Sequence, residues 1–178
     1  VSSFIIVSGT SISAVLAIAV IITGLNLLTV QKLLEKGNTY SKVQYENQLV
    51  PEYDENGDPY FTTDGDFRVM HLTDVHLGGS ILSVKDDKSA MNAIAAMINA
   101  EKPDLVVVSG DISFAVPWSG TLDNSIAHGY FKRLMENLGV YWTVTFGNHD
   151  TEAYSKYDRA QIADFYENSG FKYCLFKS

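Results

Sequence analysis

Residues 140–150 read VYWTVTFGNHD, an apolar β-branched run that breaks at Gly147 into Asn148, His149 and Asp150. Two earlier stretches end the same way. FRVMHLTDVH, residues 67–76, passes from apolar positions into Asp74 and His76, and LVVVSGD, residues 105–111, passes into Asp111. Short Val-rich runs bounded by turn residues are the pattern of buried parallel strands, so strands are expected over 67–72, 105–108 and 140–146. Helical patterns separate them. Residues 87–100 are rich in Ala and Met and stop before Pro103, and residues 122–138 place Ile126, Tyr130, Leu134 and Leu138 at four-residue steps before Gly139. A third helix over 157–168 and a strand over 172–176 complete a β-α-β-α-β-α order. Crossovers of this length join adjacent parallel strands, which makes the fold class α/β.

The polar residues all fall where the three strands end. In a parallel sheet those ends open on one crevice, so Asp74, His76, Asp111 and Asn148 can converge although they are far apart in the chain. Asp74 and His76 are two apart, a spacing that points both side chains the same way in an extended segment. Gly110 and Gly147 leave the backbone room to turn beside the ligands. Two carboxylates, an imidazole and an amide oxygen form a donor set suited to divalent Mn, Fe, Zn or Mg. One carboxylate can serve two ions, and a pair of ions roughly 3.5 to 4 Å apart activates water toward a phosphate ester.

The ordered trio of D-x-H at Asp74 to His76, G-D at Gly110 to Asp111 and G-N-H-D at Gly147 to Asp150 resembles the opening motifs of the calcineurin-like metallophosphoesterase superfamily. The resemblance covers about residues 67–150. It implies an α-β-β-α sandwich, of which this chain would hold the N-terminal half. By the same resemblance, Asp74 and His76 would hold the first metal, Asp111 would bridge, and Asn148 would hold the second. His149 would protonate the leaving oxygen, with Asp150 orienting it. Family members add later histidines from a G-H and a G-H-x-H segment, and no His follows His149 here. The chain alone is therefore expected to show little phosphatase activity. The Gly147-to-Glu152 run followed by Arg159 is similar to a branch related to purple acid phosphatases. Purple enzymes place a Tyr three residues after the bridging Asp, where this chain has Phe114, so no iron-tyrosinate colour is expected.

The N-terminal part reads differently. No charged side chain occurs before Lys32, and residues 13–30, with the apolar run at 4–7, are long enough to span a bilayer as one helix. A buried helix and a cleaved signal peptide are the alternatives, and no A-x-A-type site follows the run. The chain divides into a transmembrane anchor at 1–31, a membrane-proximal linker and entry segment at 32–66, and a partial metallophosphoesterase domain at 67–178. Lys32, Lys36 and Lys42 on the C-terminal flank place the domain in the cytoplasm by a literal positive-inside reading. Val1 at the start leaves room for upstream basic residues, and analogy with anchored relatives leans to the extracytoplasmic side.

Thirteen basic against 21 acidic side chains give a net charge of −8, which excludes nucleic acid as the main partner. The single Cys174 rules out a cysteine-rich zinc site, and it reads as a core residue of the last strand. Asp54, Asn56 and Asp58 fail as a calcium loop, because Pro59 and Gly65 stand where an EF-hand needs Gly and Glu. Gly78-Gly79 does not supply the G-x-G-x-x-G of a dinucleotide site. His71 reads as a strand residue facing a packing partner, His128 as a solvent-facing helix residue, and Trp118 as a loop aromatic that either lines the substrate mouth or packs over the domain. The expected function is hydrolysis of a phosphate ester by a dinuclear metal site in a membrane-anchored protein. The alternative is a catalytically impaired relative retained for binding or regulation.

Overall fold

The computed structural model describes residues 9–116, 121–168 and 170–178. Trp118 lies outside the described residues. The elements run α1 (Gly9–Gly37), β1 (Glu52–Tyr53), β2 (Pro59–Tyr60), β3 (Val69–Leu72), α2 (Val84–Glu101), β4 (Leu105–Val108), α3 (Asn124–Leu138), β5 (Trp142–Val144) and α4 (Arg159–Glu167). Strands β3, β4 and β5 form one parallel sheet in that order, with Leu72 opposite Val108 and Val108 opposite Val144. Strands β1 and β2 form a separate antiparallel hairpin around Gly57, whose φ of 75° is one that glycine adopts without strain. The α/β class and the parallel order follow the Val-rich pattern.

Local chemistry sets the helix ends. Helix α2 stops at Lys102, a left-handed residue at φ 45° whose N–H reaches back to the Ile98 carbonyl, immediately before Pro103. Gly139 closes α3 in the same way. Helix α4 begins with a capping box: Asp158 accepts from the Gln161 N–H while the Gln161 side chain accepts from the Asp158 N–H.

One face of the sheet, through Leu72, Val106, Val108, Trp142 and Val144, is buried in a core shared with α2 and α3. Its other face carries Val69, His71, Leu105, Val107 and Thr143, all exposed or half-buried. Helix α1 packs its C-terminal part on α3 and α2, and its Leu33 is fully buried.

Three expectations need correction. His128 is completely buried, because α3 turns a wide stripe inward through Ala127, His128, Phe131, Leu134 and Met135 and the imidazole finds a polar partner there. The strand expected over 172–176 shrinks to one bridge, Trp142 with Cys174. The reason is Glu136: its carboxylate takes the backbone N–H groups of Lys172 and Tyr173 at 2.9 and 3.1 Å, diverting them from a ladder, and it also accepts from the Trp142 indole N–H at 3.3 Å. Cys174 is accordingly half-buried rather than a core strand residue. Burial pushes its thiol up to about 12.

Candidate metal centre

The loops after β3, β4 and β5 meet at the C-terminal end of the sheet. The Asp74 N–H reaches the Gly110 carbonyl at 3.2 Å, and the His76 N–H reaches the Asp111 carbonyl at 2.9 Å. Gly110 and Gly147 permit the third contact, since a Cβ on Gly110 would strike the Gly147 backbone and one on Gly147 would strike the Asp111 carboxylate. The three loops are packed backbone against backbone.

The first two motifs depart from an extended chain. Asp74, His76 and Asp111 all sit in the left-handed region, at φ 53°, 52° and 54°. Such residues cost of order 1 to 3 kcal/mol each and gather at functional sites. The turn, rather than an extended strand, carries Asp74 and His76 into one cleft. There His76 Nε2 lies 3.6 Å from Asp74 Oδ1 and 3.8 Å from Asp111 Oδ2. Asp111 is the deepest of the three, its side chain 14% exposed against 59% for Asp74 and 40% for His76. Asn148 is exposed on the third loop, between Gly147 and His149.

Donor atoms of His76, Asp111 and His149 lie within 4.8 Å of one another. Two donors about 2.1 Å from one ion stand about 3.0 to 3.4 Å apart at octahedral or tetrahedral angles, close to the separations around His76. Hard carboxylate oxygens beside imidazole nitrogen fit a divalent ion. Phe114 stacks on His76 with centroids 5.1 Å apart and meets the His149 ring edge-on at 4.8 Å, so the position that a ligating Tyr would take packs the two histidines in place.

The partner of His149 is Glu152, not Asp150. Glu152 Oε1 lies 2.8 Å from His149 Nδ1, which leaves Nε2 for a ligand. Asp150 is turned inward and fully buried, and it acts on the loops instead. Its Oδ2 accepts from the N–H groups of Asp111 and Gly147 at 2.8 and 2.9 Å, and its Oδ1 from the Ser113 N–H at 2.9 Å. Behind it, His128 Nε2 stands 3.5 Å from Asp150 Oδ1 while Nδ1 meets the Tyr166 hydroxyl at 2.8 Å. Burial lowers the His128 pKa to about 4, against the pull of the Asp150 charge, so the ring is neutral at pH 7.

A second buried carboxylate holds the first loop. Asp87 accepts from Gly78 N–H, Gly79 N–H and the Ser83 hydroxyl at 2.9, 3.0 and 2.9 Å, and its burial pushes its pKa up. Sequence reasoning placed Asp87 only at a helix start, and no local pattern marks it as the clamp on the loop after His76. Glu152 stood in the quoted run without a role, although its place three residues after His149 is within side-chain reach in a turn. His71 is exposed and bonded to the Ser109 hydroxyl at 2.7 Å, apart from the cluster.

The profile of the calcineurin-like phosphoesterase family matches residues 67–177, the whole of the described site and sheet. The chain belongs to that family. Among curated proteins, the chain is similar to two from Arabidopsis thaliana. One is named probable inactive purple acid phosphatase 14, 28% identical over 104 residues, or 52% of this chain and 25% of that protein. The other is probable inactive purple acid phosphatase 28, 29% identical over 122 residues, or 59% of this chain and 28% of that protein. The chain thus spans about a quarter of the length of these relatives. No solved structure matches it significantly.

Proposed function

We propose that this chain carries the metal-binding strand ends of a membrane-anchored phosphoesterase that hydrolyses a phosphate monoester or diester. The observation that supports it best is the convergence of Asp74, His76 and Asp111 on one cleft at the cost of three left-handed residues. Asp74 and His76 would hold one divalent ion, Asn148 a second, and the deeply placed Asp111 both. Such ions, when bound, neutralise phosphoryl oxygens and lower the pKa of an attacking water.

The chain's own groups do the rest. Glu152, accepting from Nδ1–H, fixes the His149 ring, and in its doubly protonated form that ring can give the Nε2 proton to the departing oxygen. Phe114 holds the imidazoles of His76 and His149 at fixed angles. Asp150 serves by positioning, since the amides it binds belong to the second and third ligand loops.

The test combines metal analysis with turnover of nitrophenyl phosphates, measured on a chain extended through later histidine segments of the family type. Asp111→Asn is expected to lower bound Mn or Zn at both sites, whereas full retention of two equivalents would refute the shared carboxylate. His149→Ala should lower kcat by about 10²-fold with metal content unchanged, and the loss should shrink on substrates with better leaving groups. Equal losses on good and poor leaving groups would count against proton donation. The names of the two relatives, both probable inactive phosphatases, favour a second reading, an impaired phosphoesterase kept for binding. That reading predicts no metal-dependent turnover even where metal binds.

A further inference from the structure

The path of α1 across the domain fixes which end of the molecule faces a membrane. Among the described residues, α1 holds the single helix long and apolar enough to cross a bilayer, Ile12–Leu33. Its last third nevertheless belongs to the domain. Leu33 is fully buried, Val30 packs against the core, and Asn26 Oδ1 accepts from the Ile81 N–H at 3.1 Å. Positions 26, 30 and 33 share one helix face. Side chains nearer the N-terminus, such as Val15, Leu16, Val20 and Ile21, are more than half exposed. One face of α1 therefore joins the domain from Asn26 onward, while Leu27 and Leu28 on the other side of the helix stay more than half exposed. Residues 12–25 give about 21 Å of helix, and the uncharged Phe4, Ile5, Ile6 and Val7 before them supply apolar residues toward the ~30 Å of a hydrocarbon core.

The direction of α1 is equally clear. Just after α1, Asn38 accepts from Arg133 at 3.0 Å and the Val43 N–H reaches the Leu138 carbonyl at 2.9 Å, both near the C-terminal end of α3. That end leads into the start of β5. Asn26, by contrast, meets the loop before α2, which follows β3 directly. Helix α1 thus runs from the end of the sheet that carries Asp74, His76 and Asp111 toward the opposite end, and its free apolar part projects beyond the ligand loops.

The loop it meets is suited to lipid. Leu82 is 69% exposed, more than any other large hydrophobic residue outside α1 among the described residues. All four N–H groups of residues 80–83 already have partners inside the protein. Ser80 N–H bonds the Ser83 hydroxyl at 3.0 Å, Ile81 N–H bonds Asn26, Leu82 N–H bonds the Ser80 hydroxyl at 3.1 Å, and Ser83 N–H bonds the Ser80 carbonyl at 3.3 Å. N–H groups satisfied internally lose little when water leaves them, which favours contact with a bilayer interface.

We infer that residues 80–83 seat in the interface of a lipid bilayer through Leu82, so that the domain rests on the membrane with its ligand loops facing the lipid. The inference rests on the reading of α1 as a membrane anchor and adds an orientation to it. Leu82 follows His76 by six residues, so the ligand lies within about 20 Å of the lipid contact even along a fully extended chain.

The test uses the full chain in phosphatidylcholine vesicles, with Cys174→Ala and one introduced cysteine carrying an environment-sensitive fluorophore. The variants are Leu82→Cys, Ile18→Cys and Val50→Cys, each at an exposed side chain whose replacement leaves the core intact. Val50 serves as a control because its neighbour Gln48 bonds the Gly139 carbonyl at 2.7 Å, at the far end of the sheet. A label at 82 should shift to the blue and lose emission to lipids spin-labelled near the headgroup. A label at 18 should lose emission to lipids labelled deep in the acyl chain, and a label at 50 should respond to neither. Quenching at 18 with an aqueous signal at 82 overturns the seating and leaves the anchor standing. No quenching at 18 overturns the anchor reading and the seating with it. A blue shift at 82 without lipid quenching shows a protein partner there, which also overturns the proposal.

Discussion

Two layers of polar side chains occupy the same end of this molecule and obey opposite rules. Asp74, His76 and Asp111 line the open cleft in left-handed backbone, and the nearest polar atoms around His76 stand 3.6 and 3.8 Å away, too far for hydrogen bonds. Beneath them Asp87 and Asp150 are buried, and each accepts three hydrogen bonds of 2.8 to 3.0 Å. The upper layer combines left-handed backbone with sparser bonding: Asp111 Oδ1 accepts from the His149 backbone N–H at 2.9 Å and Asp74 Oδ2 from the Thr73 hydroxyl, while the other oxygen of each carboxylate faces His76. The lower layer consumes its bonding capacity in fixing the loops. Residue type alone would not separate them, because both layers are made chiefly of aspartate.

The sharpest way to break this comparison is to remove one carboxylate from each layer. Asp111→Asn should cut metal-dependent hydrolysis by about 10³-fold while shifting the thermal midpoint little. Asp150→Ala should instead destabilise the fold by about 3 kcal/mol or more, because it strips partners from three amide N–H groups. Thermal unfolding read beside turnover checks both, and a large loss of stability from Asp111→Asn would merge the layers.

A smaller effect follows from His128. Its folded pKa of about 4 lies below the unfolded value near 6.5, so between those values the unfolded chain binds more protons. The stability it contributes is full above the unfolded value and falls as pH drops toward the folded one. Acidification from pH 7 to 5 should cost about 2 kcal/mol through this group, and His128→Gln should flatten that part of the profile. Denaturant titrations at the two pH values measure the difference.

The smallest effect concerns strain in the upper layer. Asp74→Gly removes a side chain from a left-handed position and should raise stability by about 0.5 kcal/mol while weakening metal binding. A loss of stability would mean that the Thr73 hydroxyl bond to Asp74, at 2.7 Å, outweighs the backbone strain.

Much of the upper layer was legible in the sequence, because the candidate ligands close Val-rich strands at motif spacing and the strands' parallel order puts them together. The element order was legible for a related reason: Pro103 and Gly139 stop α2 and α3 where local chemistry demands. The lower layer was not legible. Asp87 looks like any acidic residue in a first helical turn, and His128 beside Gly129 looks like a surface residue until Tyr166, 38 positions on, supplies the partner that lets it be buried. Asp150 sits inside the motif, yet the contact to His149 that the family resemblance implied goes to Glu152 instead. Partners distant in sequence decide burial, and no window along the chain contains them.

Glu136 gives a last consequence, which concerns the order in which the chain is made. Trp142 pairs outward only with Tyr173 and Leu175, through bonds of 3.0 and 2.7 Å, and the same segment is held by Glu136. During vectorial synthesis β5 emerges well before that segment does, so its outer edge is bare for an interval in which β3 and β4 can already be paired. A nascent chain in this state offers Trp142 and its neighbours to any other unpaired strand. Docking of Tyr173 to Leu175 onto the carboxylate ends that exposure, which makes Glu136 a guard of the growing polypeptide as much as a contact in the finished one.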